Sequence, residues 1–336
     1  MFLSIVRVGV IASAALVLSS CGGSSGQAET QQSTPEGLFT GGYGSCTTLF
    51  SGASIATTTA ATAACTQYTP PASAVAAAIA AGNPPPPIAQ LQQNMVMFVV
   101  ANGGFYLFYT EPGTYSPIVG AMQGTLSFGG GTMSATNVLD VNLQDKTVFD
   151  PTAGTAPTFN GGYTTGVDVS GYFSYPVPVA VNPAQLPSGT NVVGYNQVVG
   201  FNLPYNVDYQ GVQNLGTLEG TYTGIVGTSG SGMYDSATFT FGPASVPANS
   251  GNQYGVGTLT GTDLAGCTYT GTVSPLYKGN GYTTNITSGG YPCRLPNTQF
   301  TGLIYYDTTN NLLYSFAPDT ARTDGLIFTG SRIKSN

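Results

Sequence analysis

The side chains that could do chemistry in this sequence are carboxylates. Asp140, Asp145, Asp150, Asp168, Asp208, Glu219, Asp235 and Asp263 lie in the body of the chain, and there is no histidine. Two such groups facing one cleft, one protonated and one ionised, could hydrolyse a bond by general acid/base catalysis. Glu219 and Asp263 lie in strand-like contexts, but no spacing pairs any two of these residues. Asp307, Asp319 and Asp324 read as turn caps and the remainder as solvated charges. Without imidazole, Ser-His-Asp triads, Cys-His dyads and histidine-ligated zinc are excluded.

Other patterns match motifs by letter alone. The run from Asp140 to Asp145 offers hard oxygen ligands, but it lacks the glycine and the bidentate glutamate of a calcium loop and reads as a turn or strand end. Ser24 sits in a G-x-S-x-G string with no base to activate it. The S-x-x-K string Ser331 to Lys334 has only two residues after it. The expectation is no catalytic residue, no metal and no cofactor. Tyrosine is the other resource, with 21 residues. Loops rich in Tyr, Asn, Ser and Gly make adaptable contact surfaces for a protein or a glycan, whereas Tyr in strands pairs across a sheet.

The segments that would position these groups are not helical. Lys, Arg, Asp and Glu together are 6% of the chain, where an ordinary domain has about 25%. A helical bundle needs charged helix formers that are missing here. The net charge of -7 gives no basic face for nucleic acid. From residue 94 onward the chain reads as strand. Residues 95–100 and 105–109 flank Asn102 and Gly103, which suit the two positive-φ positions of a type I′ hairpin. Val167, Val169, Phe173 and Tyr175 alternate with Asp168, Ser170, Tyr172 and Ser174. Ala237, Phe239 and Phe241 alternate with Thr238 and Thr240, as do Cys267, Tyr269 and Val273 with Thr268, Thr270 and Thr272. Period two with threonine on the second face describes antiparallel strands buried on one side. Residues 300–306 meet 312–316 across Asp307 to Asn311, and a last strand at 326–330 suggests closure of a sheet.

The predicted fold is all-β, an antiparallel barrel or sandwich in two lobes. The segments are a signal peptide at 1–20, a tether at 21–36, an N-terminal lobe at 37–205 and a C-terminal barrel lobe at 206–336. An Ala/Pro-rich insertion at 46–90 has a short helix at 72–81 and the run Pro84 to Pro87, which forbids helix. A weak echo lays residues 37–43 on 216–222, each reading G-x-apolar-x-G-x-Y.

The first residues read as an export signal. One Arg7 precedes the apolar run 8–18, which is too short to cross a bilayer, a distance needing about 20 residues. The sequence Leu18-Ser19-Ser20-Cys21 followed by Gly22 resembles the lipobox of bacterial lipoproteins. The resemblance implies cleavage before Cys21, acylation of its thiol, membrane attachment through that anchor and, with Gly22 in place of Asp, outer-membrane localisation. Four cysteines remain, and an even count in an exported chain favours two disulfides. Three pairings are possible. Cys46–Cys65 and Cys267–Cys293 are preferred because each lies within one proposed lobe.

The C-terminal stretch Gly266-Cys267-Thr268-Tyr269-Thr270-Gly271, Tyr291-Pro292-Cys293, Gly302 to Asp307 and Arg322 to Gly325 looks like the ending of uncharacterised Gly-rich, β-rich lipoproteins of Gram-negative bacteria. At fold level, two β lobes behind a lipid tether resemble the transferrin-binding and complement-regulator-binding surface lipoproteins, although the Trp-containing lobe starts expected there are missing. The expectation is a non-enzymatic outer-membrane lipoprotein with a binding or envelope-structural role. The alternatives are a surface receptor for a glycan or host protein, and a carboxylate-based hydrolase.

Overall fold

The computed structural model describes residues 35–51, 93–110, 118–175, 179–180, 192–211, 214–229, 235–243 and 255–333. The signal segment, Cys21 and the Cys46–Cys65 pairing lie outside what is described, as do the 72–81 helix and the run Pro84 to Pro87. The described residues belong to one compact unit. No helix among the described residues is long and apolar enough to cross a membrane.

The N-terminal half is a single antiparallel sheet of twelve strands. Its strands are β1 (Gly37–Ser51), β2 (Gln93–Val99), β3 (Gly104–Thr110), β4 (Ile118–Thr125), β5 (Ser127–Gly129) and β6 (Thr132–Ala135). They continue with β7 (Leu139–Asn142), β8 (Thr147–Phe149), β9 (Thr158–Thr164), β10 (Asp168–Ser174), β11 (Val179–Ala180) and β12 (Val192–Asn206). The pairing order is β5-β6-β9-β10-β12-β1-β2-β3-β4-β7-β8, with β11 on β12. Only Leu126 separates β4 from β5. The sheet therefore curls back onto its own chain, and β7–β8 branches from β4 as a hairpin. Leu126 is buried, and its N–H donates to the Gly103 carbonyl at 2.8 Å. Inside the curl lie Phe39, Phe105, Phe159, Phe173 and Phe201 among methionines 95, 97, 122 and 133.

The β2–β3 hairpin forms where the sequence puts it, with a different turn. Val99 pairs with Phe105, so residues 100–104 make the connection. Of Asn102 and Gly103, only Gly103 takes positive φ, at 81°. Asn102 instead accepts the Gly104 N–H at 3.0 Å through its side chain, the local bonding that makes asparagine a turn residue without left-handed backbone.

After a 3-10 turn at Val207–Gln210 and a one-turn helix α1 (Leu215–Leu218), the C-terminal half is a closed eight-stranded barrel. Its strands are β13 (Gly220–Gly227), β14 (Asp235–Phe241), β15 (Gly257–Asp263), β16 (Thr268–Pro275), β17 (Gly281–Ser288), β18 (Gln299–Asp307), β19 (Leu312–Pro318) and β20 (Gly325–Arg332). The terminal strand β20 pairs with β13 and closes the barrel. In β14 and β16 the apolar positions point inward and threonines 238, 240, 268, 270 and 272 face water. The echo between 37–43 and 216–222 is not structural. The first copy lies in β1, whereas Asn214 caps the second into α1 by accepting the Thr217 N–H at 2.9 Å.

Strands β18 to β20 break the alternation. Phe300, Ile304, Tyr306, Leu313, Leu326 and Phe328 fill the barrel, while Leu303, Tyr305, Phe316 and Ile327 pack outward against Leu38, Phe98, Phe108, Leu139 and Val141 of the curled sheet. A strand covered on both faces reads as an unbroken apolar run. At one end of this contact the Arg322 guanidinium donates to the Gln123 and Asn137 carbonyls at 3.1 and 3.0 Å. At the other, Glu36 accepts from Lys278 at 2.9 Å and from the Tyr209 hydroxyl at 2.6 Å.

Candidate binding site at the barrel mouth

The two ends of the barrel differ. At the end where β13 and β17 begin, α1 lies across the opening and buries Leu215 and Leu218 in the core. Tyr222 and Tyr282 rise from the barrel wall and donate to the carbonyls of Leu218 and Asn214 at 3.0 and 3.1 Å. Each phenol thus brings an apolar ring into the core and spends its one donor on a backbone carbonyl of the plug; the Asn214 carbonyl also accepts the Thr217 N–H at 3.2 Å.

The opposite end holds a cavity of about 340 Å³. Val226, Leu326, Phe300 and Leu295 give it apolar walls, and Asp235, Asp263, Tyr269 and Arg294 line it with polar groups. Asp263 closes β15, and one of its oxygens accepts the Cys267 N–H at 2.8 Å while the other accepts the Tyr269 hydroxyl at 3.0 Å. Burial pushes the Tyr269 phenol well above its ordinary value, and the charges of Asp263 and Asp235 push it further. That hydroxyl stays a donor at any physiological pH. Asp235 opens β14 opposite Val226 and is half-buried.

The rim is braced. The Cys267–Cys293 disulfide joins the start of β16 to the loop between β17 and β18. In that loop Asn297 donates its N–H to the Gly289 carbonyl at 2.8 Å, Gly289 donates to Thr268 at 2.7 Å, and the Ser288 hydroxyl donates to the Leu295 carbonyl. The Tyr291–Pro292 peptide is cis. Asp324 is buried and accepts the N–H groups of Ser229 and Gly325 at 3.0 and 2.7 Å, tying the end of β13 to the start of β20. The sequence reads Asp324 as a turn cap only, whereas it is a buried brace between strands.

Of the carboxylates singled out by sequence, the fold brings Asp235 and Asp263 to one cavity. Glu219, the other strand-context acid, is exposed at the C-terminus of α1, at the plugged end. Asp145 accepts from the Asn142 side chain in the turn after β7. Asp150 caps a turn through Thr152 and Ala153, and those hydrogen bonds lower its pKa. Asp168 opens β10 and Asp208 is exposed in the 3-10 turn. Asp307 and Asp319 cap turns as expected. Among the described residues no three metal-ligating side chains converge.

Asp140 departs from the expectation of a solvated charge. It is 2% exposed, and its two oxygens accept the hydroxyls of Tyr109 at 2.8 Å and Tyr175 at 2.7 Å. Burial raises its pKa to about 6, against the opposing pull of the two hydrogen bonds. The signal was local: Asp140 stands alone between Val138, Leu139 and Val141, inside an apolar run.

No protein-family model and no curated protein matches this chain. Among solved structures it is similar to two variants of the vaccine antigen transferrin binding protein B from Haemophilus parasuis Hp5, one with a tryptophan replaced by alanine and one with a tyrosine replaced as well. Each alignment covers 90% of this chain and 77% of that chain, at 9% identity and a TM-score of 0.20. At those values it is a general likeness, and the site stands on its own geometry.

Proposed function

We propose that the protein is a non-enzymatic lipoprotein of the outer membrane, anchored through an acylated Cys21, whose barrel mouth binds a ligand. The observation that carries this reading is the polarity of the barrel. Glu36, where the chain leaves the tether, is held at the plugged end by Lys278 and Tyr209, and the cavity opens at the other end. In an anchored chain the tether would therefore join the body at the end opposite the mouth, which leaves the mouth clear of the attachment point. A preformed cavity with apolar walls and a few convergent polar groups is the usual form of a binding site. The test is a glycan and serum-protein array probed with the mature chain and with the Asp235→Asn and Tyr291→Ser variants. Ligands lost in both variants support the reading, and ligands bound equally by all three chains would move the site elsewhere. Fatty-acid labelling of cells checks the anchor: label must appear on the wild type and disappear in Cys21→Ser.

A second reading, a carboxylate hydrolase, draws on Asp235 and Asp263 sharing one cavity. Asp263 is already committed to the Cys267 N–H and the Tyr269 hydroxyl, which suits a fixed acceptor better than a proton carrier. Hydrolysis of a chromogenic glycoside or ester that Asp235→Ala abolishes would favour this second reading.

A further inference from the structure

Two large apolar side chains are exposed at this end of the barrel: Tyr291, which lines the cavity, and Leu264, which follows Asp263 in the chain without lining it. Leu264 is 81% exposed and Tyr291 is 97% exposed. They sit on the β15–β16 and β17–β18 loops, which the Cys267–Cys293 disulfide ties together. Pro292 lies 3.7 Å from where a Cβ on Gly266 would stand, so the two loops touch. Scattered single apolar residues on a surface need no explanation. Tyr291 on the cavity lining and Leu264 on the loop cross-linked to it offer two apolar anchors at one end of the barrel. Tyrosine held on a braced loop loses little freedom on binding, and aromatic anchors beside pockets dominate protein interfaces.

Charge selects the kind of partner. Asp235 and Asp263 line the cavity, and Arg294 offsets one of them. The ion pair of Lys278 with Glu36 lies at the far end of the barrel. The chain's net charge of -7 steers cationic surfaces toward it over a longer range. The cavity, about 340 Å³, is at the lower limit for small-molecule sites, roughly 300 Å³, and suits one long side chain.

The geometry points to a protein-docking site at the barrel mouth, in which a partner inserts one lysine or arginine between Asp235 and Asp263 while its apolar neighbours cover Leu264 and Tyr291. This rests on the binding reading above and names its partner class.

The test uses the full mature chain in detergent and fluorophore-labelled pentapeptides that place lysine, arginine, glutamine or glutamate between two leucines. Anisotropy titrations should rank the lysine and arginine peptides about tenfold tighter than the glutamine peptide, with the glutamate peptide weakest. Asp235→Asn should erase that ranking without moving the melting temperature. Leu264→Ser combined with Tyr291→Ser should weaken every peptide that binds. Equal affinity for the lysine and glutamine peptides, or a lysine preference that survives Asp235→Asn, overturns the proposal. If a glycan on the array binds in a Tyr291-dependent way while basic peptides do not, the partner class is wrong and the mouth remains a binding site. If neither kind of probe separates the wild type from the mouth variants, both readings fail.

Discussion

The curled sheet and the barrel close by different means. In the barrel every strand is hydrogen-bonded on both edges, with β20 against β13 as the last seam. Among the described residues the two ends of the curled sheet share no ladder, and the backbone joins them through the covalent link at Leu126. Its strand β6 pairs with β5, leaving the adjoining edge of β4 to β7. Side chains cover what the ladder does not. Asp140 on β7 takes hydrogen bonds from Tyr109 on β3 and from Tyr175 just past β10, and Phe149 on β8 packs edge-on against Tyr175 at 4.8 Å. A backbone ladder that closes by itself leaves one end of the interior free to hold a cavity. A sheet that closes through side chains commits its interior to holding the seam.

The sharpest way to break this contrast is to empty the curled sheet. Phe105 lies 6.4 Å from both Phe159 and Phe173, centroid to centroid, and is fully buried. Phe105→Ala should cost about 3–5 kcal/mol in denaturant unfolding. A loss under about 1 kcal/mol would mean that the interior collapses around the gap and does not hold the seam. The barrel should respond differently to loss of its cross-link. The Cys267–Cys293 bond closes a loop with a sequence separation of 26, worth about 3 kcal/mol in the chain-entropy model. Because the ladder is complete without it, the double Cys→Ser variant should keep its far-UV signal. Its faster amide exchange should be confined to the loops around Leu264 and Tyr291. Exchange spreading into β16 and β17 would show that the bond holds the barrel shut.

Acidity should separate the halves next. The folded pKa of Asp140 is raised from 3.8 to about 6, so the native state binds this proton more tightly than the unfolded chain does. Its contribution is fully present below about pH 4 and is lost as pH rises through 6, a change of about 2–3 kcal/mol. Stability should therefore fall across that window, and Asp140→Asn, which cannot ionise, should flatten the fall. Asp145, which opposes ionisation by its charge, and the hydroxyls of Tyr109 and Tyr175, which favour it, are the groups that tune the midpoint. An unchanged pH profile in Asp140→Asn would assign the titration to another group.

Much of this was legible in the residues. Alternation of Phe and Thr in β14, and of Tyr and Thr in β16, gave strand and buried face together, because a half-buried strand has only one solution to its side-chain period; that the buried face lines a closed barrel came from the pairing of β20 with β13. The final hairpin and the closing strand followed from turn residues between apolar runs. Less accessible was the contact between the halves. Its trace is there, since 95–100, 105–109, 303–306 and 326–328 are unbroken apolar runs, but a run does not say which second surface covers it. Asp235 and Asp263 could not be paired from sequence, because they meet only through the β14–β15 register, in which Ala237 faces Asp263. The polarity of the barrel depended on α1, which is too short to announce itself.

The smallest expected effect concerns how the halves are joined. Glu36 and Lys278 form a pair at 2.9 Å, yet the lysine is 63% exposed. An exposed ion pair is worth about 0–1 kcal/mol, since water screens it and two long side chains must be ordered. Lys278→Ala should therefore lower stability by less than about 1 kcal/mol, and less still at high salt. Glu36 differs from its partner, because it also accepts the hydroxyl of buried Tyr209, whose pKa burial and that hydrogen bond both raise. Glu36→Ala strands that hydroxyl and should cost more, about 1–3 kcal/mol, while Glu36→Gln keeps an acceptor and should behave like Lys278→Ala. If Lys278→Ala instead proves as damaging as Glu36→Ala, the halves are joined by charge. The apolar faces of β18 to β20 would then be cover for the curled sheet and not the bond between the halves.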